Sequence, residues 1–580
     1  MTLSDKRWKI RALENEQLVA KLSHSLNDIP VSLARALLLR GVNTFDEARE
    51  YFRSGTDQLH DPFLMTDMEQ AVERVIDAIN RDEKIVVYGD YDVDGTTSTA
   101  LLTHYLGKMG ASVGFFVPDR FKHGYGLSQE GLDEVRADDA EVVIALDCGV
   151  TAVAEAVYAR SLGMDLIICD HHTPKENLPD AVAVLDSKRD DCCYPFKELC
   201  GCGVTLKFAQ AIHQKLGHDP LELNHYLDLV AVATASDMVS LKGENRILLR
   251  EGLQSLREHP RMGLKMLAEQ AGIRLSDCST RSIVFSLGPR INAAGRLGDA
   301  ARAVTLLLAE DELEAVARAR QLERLNDERR LLDRKTQEEA FAKADLVLAA
   351  GQRHALVLHD ASWHLGVIGI VASRLVERHY RPAIMLSTSG SVIKGSARSI
   401  NGINIYRALE QCQDLLEEFG GHDFAAGLSL KEENLAEFTR RFEEAVAASV
   451  TEDILDPVVD VDAEMSLSEL DGRFWAILKQ FEPFGQDNPS PVFIARNLDV
   501  VGPVATVGKT RTHLKFSVRE RKGTHPVRKV IGFGLGKHLD LVSQTQAEGT
   551  SLDMVFSIEE NTWNGRTSLQ LQLKDLCSSQ

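Results

Sequence analysis

The sequence predicts an α/β protein of several domains: a parallel-sheet domain, a long connector helix, a second α/β domain and a C-terminal OB-like β-barrel. Three observations carry this. Short apolar runs, IVVYGD at 85–90, EVVIALD at 141–147, DLIICD at 165–170 and AVAVLD at 181–186, alternate with helical stretches, the pattern of a parallel sheet covered on both faces. From Asp311 to Ala344 there is neither Gly nor Pro, and Glu, Arg, Ala and Leu dominate, which reads as one helix of about 30 residues. Beyond Val450, alternating strands such as VFIARNLDV, THLKFSV and LDMVFSI replace the helical pattern, as in a small antiparallel barrel.

In chain order, residues 1–75 read as an amphipathic helical region without evident chemistry, and 76–310 as the first α/β domain. Residues 311–346 form the connector, with Leu313, Val316, Leu322, Leu325 and Leu332 as an interrupted apolar stripe. The stripe is not a sustained heptad, so a rigid connector is favoured over a coiled coil. Residues 347–450 hold the strand ALVLHD, a helix after Trp363-His364, the strand PAIMLS, and two segments read as loops, GSARS and FGGHDFAAG. The barrel takes 451–580.

A chain of 580 residues has room for three to five domains at about 100–200 residues each. Its net charge of −20 argues against a polyanion-binding surface spread over the whole molecule and directs the search to a local one. That patch lies between Arg496 and Lys529. Arg496, Lys509, Arg511, Lys515, Arg519, Arg521, Lys522, Arg528 and Lys529 meet only Asp499 and Glu520 there, with His513, Phe516 and His525 interleaved. A basic groove with aromatic stacking sites suits a single nucleic-acid strand. Nine cysteines make no disulfide framework. The cluster Cys192-Cys193 with Cys200-x-Cys202 lacks a zinc spacing, so buried thiols in a reducing cytoplasm are expected. The first residues contain no apolar signal region and no run of 18 apolar residues occurs, so a cytoplasmic protein without membrane spans is expected.

The chemistry begins at GDYDVDGTTS, 89–98, between an apolar strand and a helical run. Asp90, Asp92 and Asp94 alternate, and Gly95 is read as permitting a tight turn. Carboxylates this close repel one another unless a cation neutralises them. The signal recurs: Asp147 ends one apolar run, Asp170-His171-His172 ends another, and Asp186 ends a third. The carboxyl ends of parallel strands share one edge, where ligands bind. A mixed Asp and His set suits Mn²⁺ or a similar ion. Asp186 is assigned the plainer role of capping a following helix.

These motifs in this order, followed by Ser236-Asp237 and by Gly420-Gly421-His422, resemble the DHH phosphoesterase superfamily. The elements PDRFKHGYGL at 118–127, GPRINAAGRLG at 288–298 and GSARS at 395–399 are similar to its branch of bacterial exonucleases. The resemblance implies a DHH phosphoesterase domain, a DHH-associated domain and an OB-fold nucleic-acid-binding domain. It implies two Mn²⁺ or Mg²⁺ ions held by Asp90, Asp92, Asp94, Asp147, His171 and Asp237, with Asp147 bridging, and His172 touching phosphate or donating a proton. Arg120, Arg290, Arg296 and Arg398, read as lying in Gly- or Pro-punctuated loops, offer forked contacts to phosphate. Ser396 and Arg398 would hold a 5′-terminal phosphate, and Gly420, Gly421 and His422 the backbone near the cut. The implied activity is metal-dependent hydrolysis of single-stranded DNA from its 5′ end to 5′-mononucleotides, in recombination and repair. The alternatives are a hydrolase of small phosphoesters or short oligonucleotides, and a non-enzymatic DNA-binding assembly factor. The implied state is a monomer that meets single-stranded DNA, a single-strand-binding protein and recombination helicases.

Overall fold

The computed structural model describes residues 6–351, 354–451, 454–521, 526–563 and 566–579. The chain forms two compact units: residues 55–450, and residues 1–54 together with 451–580.

The larger unit opens on a five-stranded parallel sheet. Its strands are β1 (Ile85–Gly89), β2 (Val113–Phe116), β3 (Val142–Leu146), β4 (Asp165–Cys169) and β5 (Ala183–Leu185), in the order β2-β1-β3-β4-β5. β1 and β3 are buried throughout, because alternate side chains enter two different cores. Val87, Ile144 and Ile167 pack with Leu101, Phe208 and Leu229 on one face. Val86, Val143 and Ile168 pack with Leu132, Val135 and Ala159 on the other. The first face is covered by α1 (Val93–Lys108), α2 (Gly201–Lys215) and α3 (Leu227–Ser236). The chain leaves β1 toward β2 and returns to place β3 on β1's other side. Strand order therefore reverses between β1 and β3, the point where a parallel sheet opens a crevice at its carboxyl edge.

Helix α4 (Gly288–Leu297) leads to the connector, α5 (Glu312–Ala349), 38 residues long, or about 57 Å at 1.5 Å per residue. Asp311 caps it by accepting from the Glu314 N–H at 2.9 Å. Its buried stripe overlaps the predicted row, with Leu322 in the first core and Val316 and Leu325 packed against it, but alanines extend it. Leu313 is 81% exposed, whereas Ala315, Ala319 and Leu322 join the first core and Ala340 and Ala344 join that of the following domain. Small residues let neighbouring helices approach the rod closely, so alanine supplies the contact.

The second sheet comprises β6 (Leu356–His359), β7 (Ala383–Ser389), β8 (Val392–Arg398), β9 (Leu416–His422) and β10 (Ala425–Leu430), in the order β9-β10-β8-β7-β6. Helix α6 (Leu365–His379) packs on it. GSARS and FGGHDFAAG are thus not loops: the first ends β8 and the second forms the β9–β10 hairpin.

In the other unit, β11 (Phe493–Val507), β12 (His513–Glu520), β13 (Arg528–Gly532), β14 (Leu552–Trp563) and β15 (Arg566–Ser578) close into a barrel through the β11–β14 pairing. The N-terminal region does not stand alone. Arg7–Ile10 pairs in parallel with Val458–Val461, and Val19, Leu22, Leu33 and Leu37 share the barrel's core with Phe474, Phe493 and Phe516. No helix among the described residues is long and apolar enough to cross a membrane.

Candidate metal centre

Every residue of the centre sits just past the end of a strand or at a helix terminus. Asp90 follows β1 and is buried. Asp92 caps α1, its Oδ1 accepting from the N–H groups of Asp94 at 2.9 Å and Gly95 at 3.2 Å. Asp94 lies in the first turn of α1, and both its oxygens accept from the start of α2: Oδ2 from Gly201 N–H at 2.6 Å and Oδ1 from Cys202 N–H at 2.7 Å. Gly95 is helical rather than a turn residue. Its missing side chain matters because a Cβ there would lie 2.5 Å from the Asp90 carbonyl oxygen.

Asp147 ends β3 in the left-handed region, φ 60°, which Asp tolerates better than most residues. Its N–H donates to the Cys169 carbonyl at 2.9 Å. Asp170, after β4, is consumed by its own turn. Its Oδ1 accepts from His171 N–H at 2.7 Å, His172 N–H at 3.2 Å and His172 Nδ1 at 2.7 Å, and its Oδ2 from Val150 N–H at 2.9 Å. Asp170 is therefore a positioning residue, fixing the His172 imidazole and the backbone that carries His171. Asp237 ends α3.

Three groups bring ligand atoms within 4.8 Å of one another: Asp147 with His171 and His172, Asp94 with His171 and Asp237, and Asp90 with Asp92 and Asp147. Asp147 and His171 each belong to two of them, so the three groups share ligands and form one centre. His171 Nε2 lies 3.1 Å from Asp147 Oδ1, 3.6 Å from Asp237 Oδ2 and 3.8 Å from Asp94 Oδ2.

The electrostatics ask for a cation. Burial pushes the Asp90, Asp94 and Asp147 carboxyls well above their ordinary range, and the neighbouring acids Asp92, Asp237 and Asp94 respectively push them further. Burial lowers His171 to about 4, so its imidazole is neutral, the form that ligates metal. Asp90 Oδ1, Asp147 Oδ1, His171 Nδ1 and Asp237 Oδ2 are buried without hydrogen-bond partners. Buried polar atoms left unpaired in this way are costly, and a divalent ion on an oxygen-rich site with one imidazole satisfies them. The residues present fit the expected metals.

Beside the centre stands a cationic cluster. Arg120 lies 4.2 Å over the Tyr91 ring, with its buried Nε unpartnered. Arg296 donates to the Gly366 carbonyl at 3.1 Å. Burial lowers it to about 10, with further lowering from Arg120, Arg329 and Arg398, while Asp92 opposes. Arg398, at the end of β8, donates to Ser396 Oγ at 2.9 Å. His422, ending β9, feels both Arg398 and His172, so the Gly420-Gly421-His422 hairpin borders the same site. His172 is pulled down by burial, but its hydrogen bond to Asp170 outweighs this and raises it to about 9.

Four expectations change. Arg290 and Arg296 lie on helix α4 and Arg398 on a strand, not in loops. Arg290 is taken by Glu323 of the connector and the Ser286 carbonyl, away from the centre. Asp186 caps no helix. One oxygen accepts from Lys188 N–H at 2.7 Å and the other is buried unpaired, and burial raises it to about 7. Phe516 faces the barrel core, not solvent. The exposed ring is Phe533, 51% accessible and in edge contact with His513. Strand parity carries Lys515, Arg519 and, across the ladder, Lys529 to the outer face, whereas Arg496 is neutralised by Glu464 and Asp553. Lys522 and His525 lie outside the described residues.

Sequence reasoning missed Asp170's locking role, Tyr91 under Arg120, and Tyr125, whose hydroxyl stands 3.3 Å from His172 Nε2. It also missed the Gly201–Cys202 amides that hold Asp94. The cysteine cluster was itself the available signal: Cys200 caps α2, its Sγ accepting from Gly203 N–H at 3.3 Å; Cys192, Cys200 and Cys202 are the expected buried free thiols, whereas Cys193 is exposed.

A family model described as the DHH family, N-terminal domain, matches residues 84–234, the DHHA1 domain matches 352–448, and the RecJ OB domain matches 461–575. The single-stranded-DNA-specific exonuclease RecJ of Bacillus subtilis (strain 168) is 38% identical over 583 residues, 100% of this chain and 72% of that protein. The protein of the same name from Salmonella typhimurium is 34% identical over 572 residues, 95% of this chain and 96% of that one. The crystal structure of RecJ in complex with Mn²⁺ from Thermus thermophilus matches with a TM-score of 0.82 at 29% identity, covering 99% of this chain and 80% of that one. The Mg²⁺ complex from the same organism gives 0.76 at 27%, covering 98% and 78%. With all three family models in sequence along it and relatives above 30% identity matched over nearly its whole length, the chain belongs to the RecJ family.

Proposed function

We propose that this protein is an exonuclease that degrades single-stranded DNA from the 5′ end to 5′-mononucleotides, acting in recombination and repair. The observation that carries it is the juxtaposition of a shared Asp–His centre with the Arg120, Arg296 and Arg398 cluster. Asp90, Asp92, Asp94, Asp147, His171 and Asp237 would hold Mn²⁺ or Mg²⁺, which when bound supplies Lewis acidity toward phosphate.

The chain's own groups do the rest. A terminal phosphate monoester carries more charge than an internal diester. Arg120, Ser396 and Arg398, one of them already desolvated by burial, reward that extra charge and so select a strand end. His172, protonated near neutrality and held by Asp170, presents an N–H toward the centre. Backbone without side chains at Gly420 and Gly421 lets the strand lie against β9. The exposed Lys515, Arg519, Lys529 and Phe533 of the barrel give charge and stacking without base readout. We take the working protein to be a cytoplasmic monomer whose substrate reaches it coated by a single-strand-binding protein.

End-labelled single-stranded DNA with Mn²⁺ or Mg²⁺, and with chelator, tests the reading. Label should leave first from the 5′ end and only with metal. Activity persisting in chelator, equal digestion of duplex, or first release from the 3′ end would overturn it. Arg398→Ala should raise KM for a 5′-phosphorylated strand by about 100-fold, as expected for loss of a charge-assisted phosphate contact, and abolish the preference over a 5′-hydroxyl strand. An unchanged preference removes Arg398 from the end-recognition role. On the barrel, Lys515→Ala with Lys529→Ala should flatten the slope of log affinity against log salt by about 1.4, at about 0.7 per phosphate contact on single strands. A slope equal to wild type would place the strand elsewhere.

A further inference from the structure

We propose that a cavity beside the connector is a second anion site, built for a mononucleotide-sized organic phosphate and separate from the metal centre. The cavity encloses about 550 Å³, within the usual range of about 300–1,000 Å³ for small-ligand sites. Arg290, Arg329, Arg330, Arg334 and Arg374 line it, and Asp333 is the one acid in its wall.

The arginines divide by what already holds them. Arg290 is bound by Glu323, and Arg374 by Asp333 at 2.8 Å and by Gln337. Arg329 donates to Asn326 Oδ1 at 2.6 Å and pairs with Asp333 at 3.7 Å, yet its Nε is buried without a partner. Arg330 and Arg334 are exposed on α5 and, among the described residues, pair with no acid. Two exposed, unpaired guanidiniums and a buried unsatisfied N–H thus line one cavity, donors suited to phosphate oxygens. At the rim, Phe285 is 72% exposed, an unusual position for a ring of that size and a ready stacking face for a base.

No metal-centre residue lines the cavity. It nevertheless adjoins the cationic cluster beside that centre. Beyond the effect of burial, Arg329 lowers Arg296, which also feels Arg120, Arg398 and Asp92; Arg329 is itself lowered by burial, held up by Asp333, and lowered again by Arg330, Arg374 and Arg290. Positive charge therefore runs from the phosphate cluster at the centre to the cavity. The anion that such a gradient would collect is a freshly cut 5′-mononucleotide. The identity of the nucleotide rests on the proposed exonuclease activity; the existence of the anion site does not.

Equilibrium dialysis of 5′-dTMP against the full chain carrying Arg398→Ala, in chelator, reads the cavity with the terminal-phosphate cluster disabled. One saturable site is expected. Arg330→Glu with Arg334→Glu should weaken it at least tenfold, and the milder Arg330→Gln with Arg334→Gln severalfold, with melting temperature reporting that each variant is folded. Phe285→Ala should weaken dTMP about fivefold and leave inorganic pyrophosphate unchanged, separating base stacking from charge. Absence of saturable dTMP binding, an affinity unmoved by the arginine variants, or a cavity that takes oligo(dT) but not dTMP would each overturn the proposal. Strand cutting is measured separately on the unmodified chain, so failure of the exonuclease reading leaves a positive dialysis result standing.

Discussion

Asp147→Asn is expected to lower turnover of a 5′-phosphorylated single strand by about 10⁴, or about 5.5 kcal/mol of transition-state stabilisation, while strand affinity in chelator stays within a few-fold of wild type. The substitution is chosen for the backbone. Asp147 has φ 60°, and Asn is among the few residues that accept this conformation, so charge changes while the turn does not. The same variant should move stability in the opposite direction. In chelator Asp147 is buried among Asp90, Asp92, Asp94 and Asp237, which push its carboxyl upward. Neutralising it should raise the melting temperature of the metal-free protein. With Mn²⁺ the order should reverse, because the wild type binds the ion more tightly and is stabilised by it. The pH dependence follows the same sign. Groups whose folded pKa lies above the unfolded value contribute stability at low pH and lose it as pH rises through the folded pKa. Asp90, Asp94 and Asp147 are raised, and His172 is raised to about 9. His172 sets the window, losing its contribution as pH rises from its unfolded value of about 6.5 through about 9, while the lowered His171 is neutral in the fold throughout. Metal-free protein should therefore melt progressively lower between pH 6.5 and 9, and Mn²⁺ should flatten the curve. Turnover within tenfold of wild type, or a melting temperature in chelator that drops with Asn, would remove Asp147 from the shared position.

The parts of the centre that could be read in advance are those marked by both local chemistry and topology. Asp90, Asp147 and Asp170 each end a run of buried β-branched or apolar residues, and parallel strands bring such ends to one edge. Other parts had no local mark. Ser396 and Arg398 sit on a strand whose Gly and Ser residues weaken any strand pattern; hydrogen bonding to β7 and β10 makes it one, since β structure answers to neighbours more than to propensity. Arg290 and Arg296 share one helix, and only tertiary contact sends one to Glu323 and the other to the cationic cluster with Arg120 and Arg398. In the barrel, Phe516 and Phe533 look equivalent by composition, yet one is buried and the other exposed: Phe516 lies on the inward face of β12, whereas Phe533 sits in the turn just past β13. Residues 7–10 pair with the distant strand Val458–Val461, a contact that no window of sequence contains.

Gly201→Ala is expected to weaken Mn²⁺ binding by about 10–100-fold, the usual penalty for disturbing a ligand's support, and to cut turnover at saturating metal by about 10²-fold through misplacement of the reacting groups. Gly201 is no ligand and carries no side chain, so the effect must pass through geometry. A Cβ there would lie 2.8 Å from both Asp147 Cβ and Oδ1. To relieve that contact, either Asp147 swings away or the start of α2 retreats. Retreat is no remedy, because the Gly201 and Cys202 N–H groups hold Asp94 at 2.6 and 2.7 Å. One methyl group therefore displaces at least one of two ligands that approach His171 from different elements. Helix propensity alone points the other way, favouring Ala over Gly by up to about 1 kcal/mol. Gly107→Ala supplies the contrast. It lies in α1, and its Cβ would meet only Val113 Cγ1, at an ordinary 3.7 Å. That variant should bind Mn²⁺ as wild type does and melt slightly higher. If calorimetric titration finds wild-type Mn²⁺ affinity in Gly201→Ala, the amide start of α2 does not set the positions of Asp94 and Asp147. If both glycine variants lose metal equally, the loss comes from general disturbance of the domain.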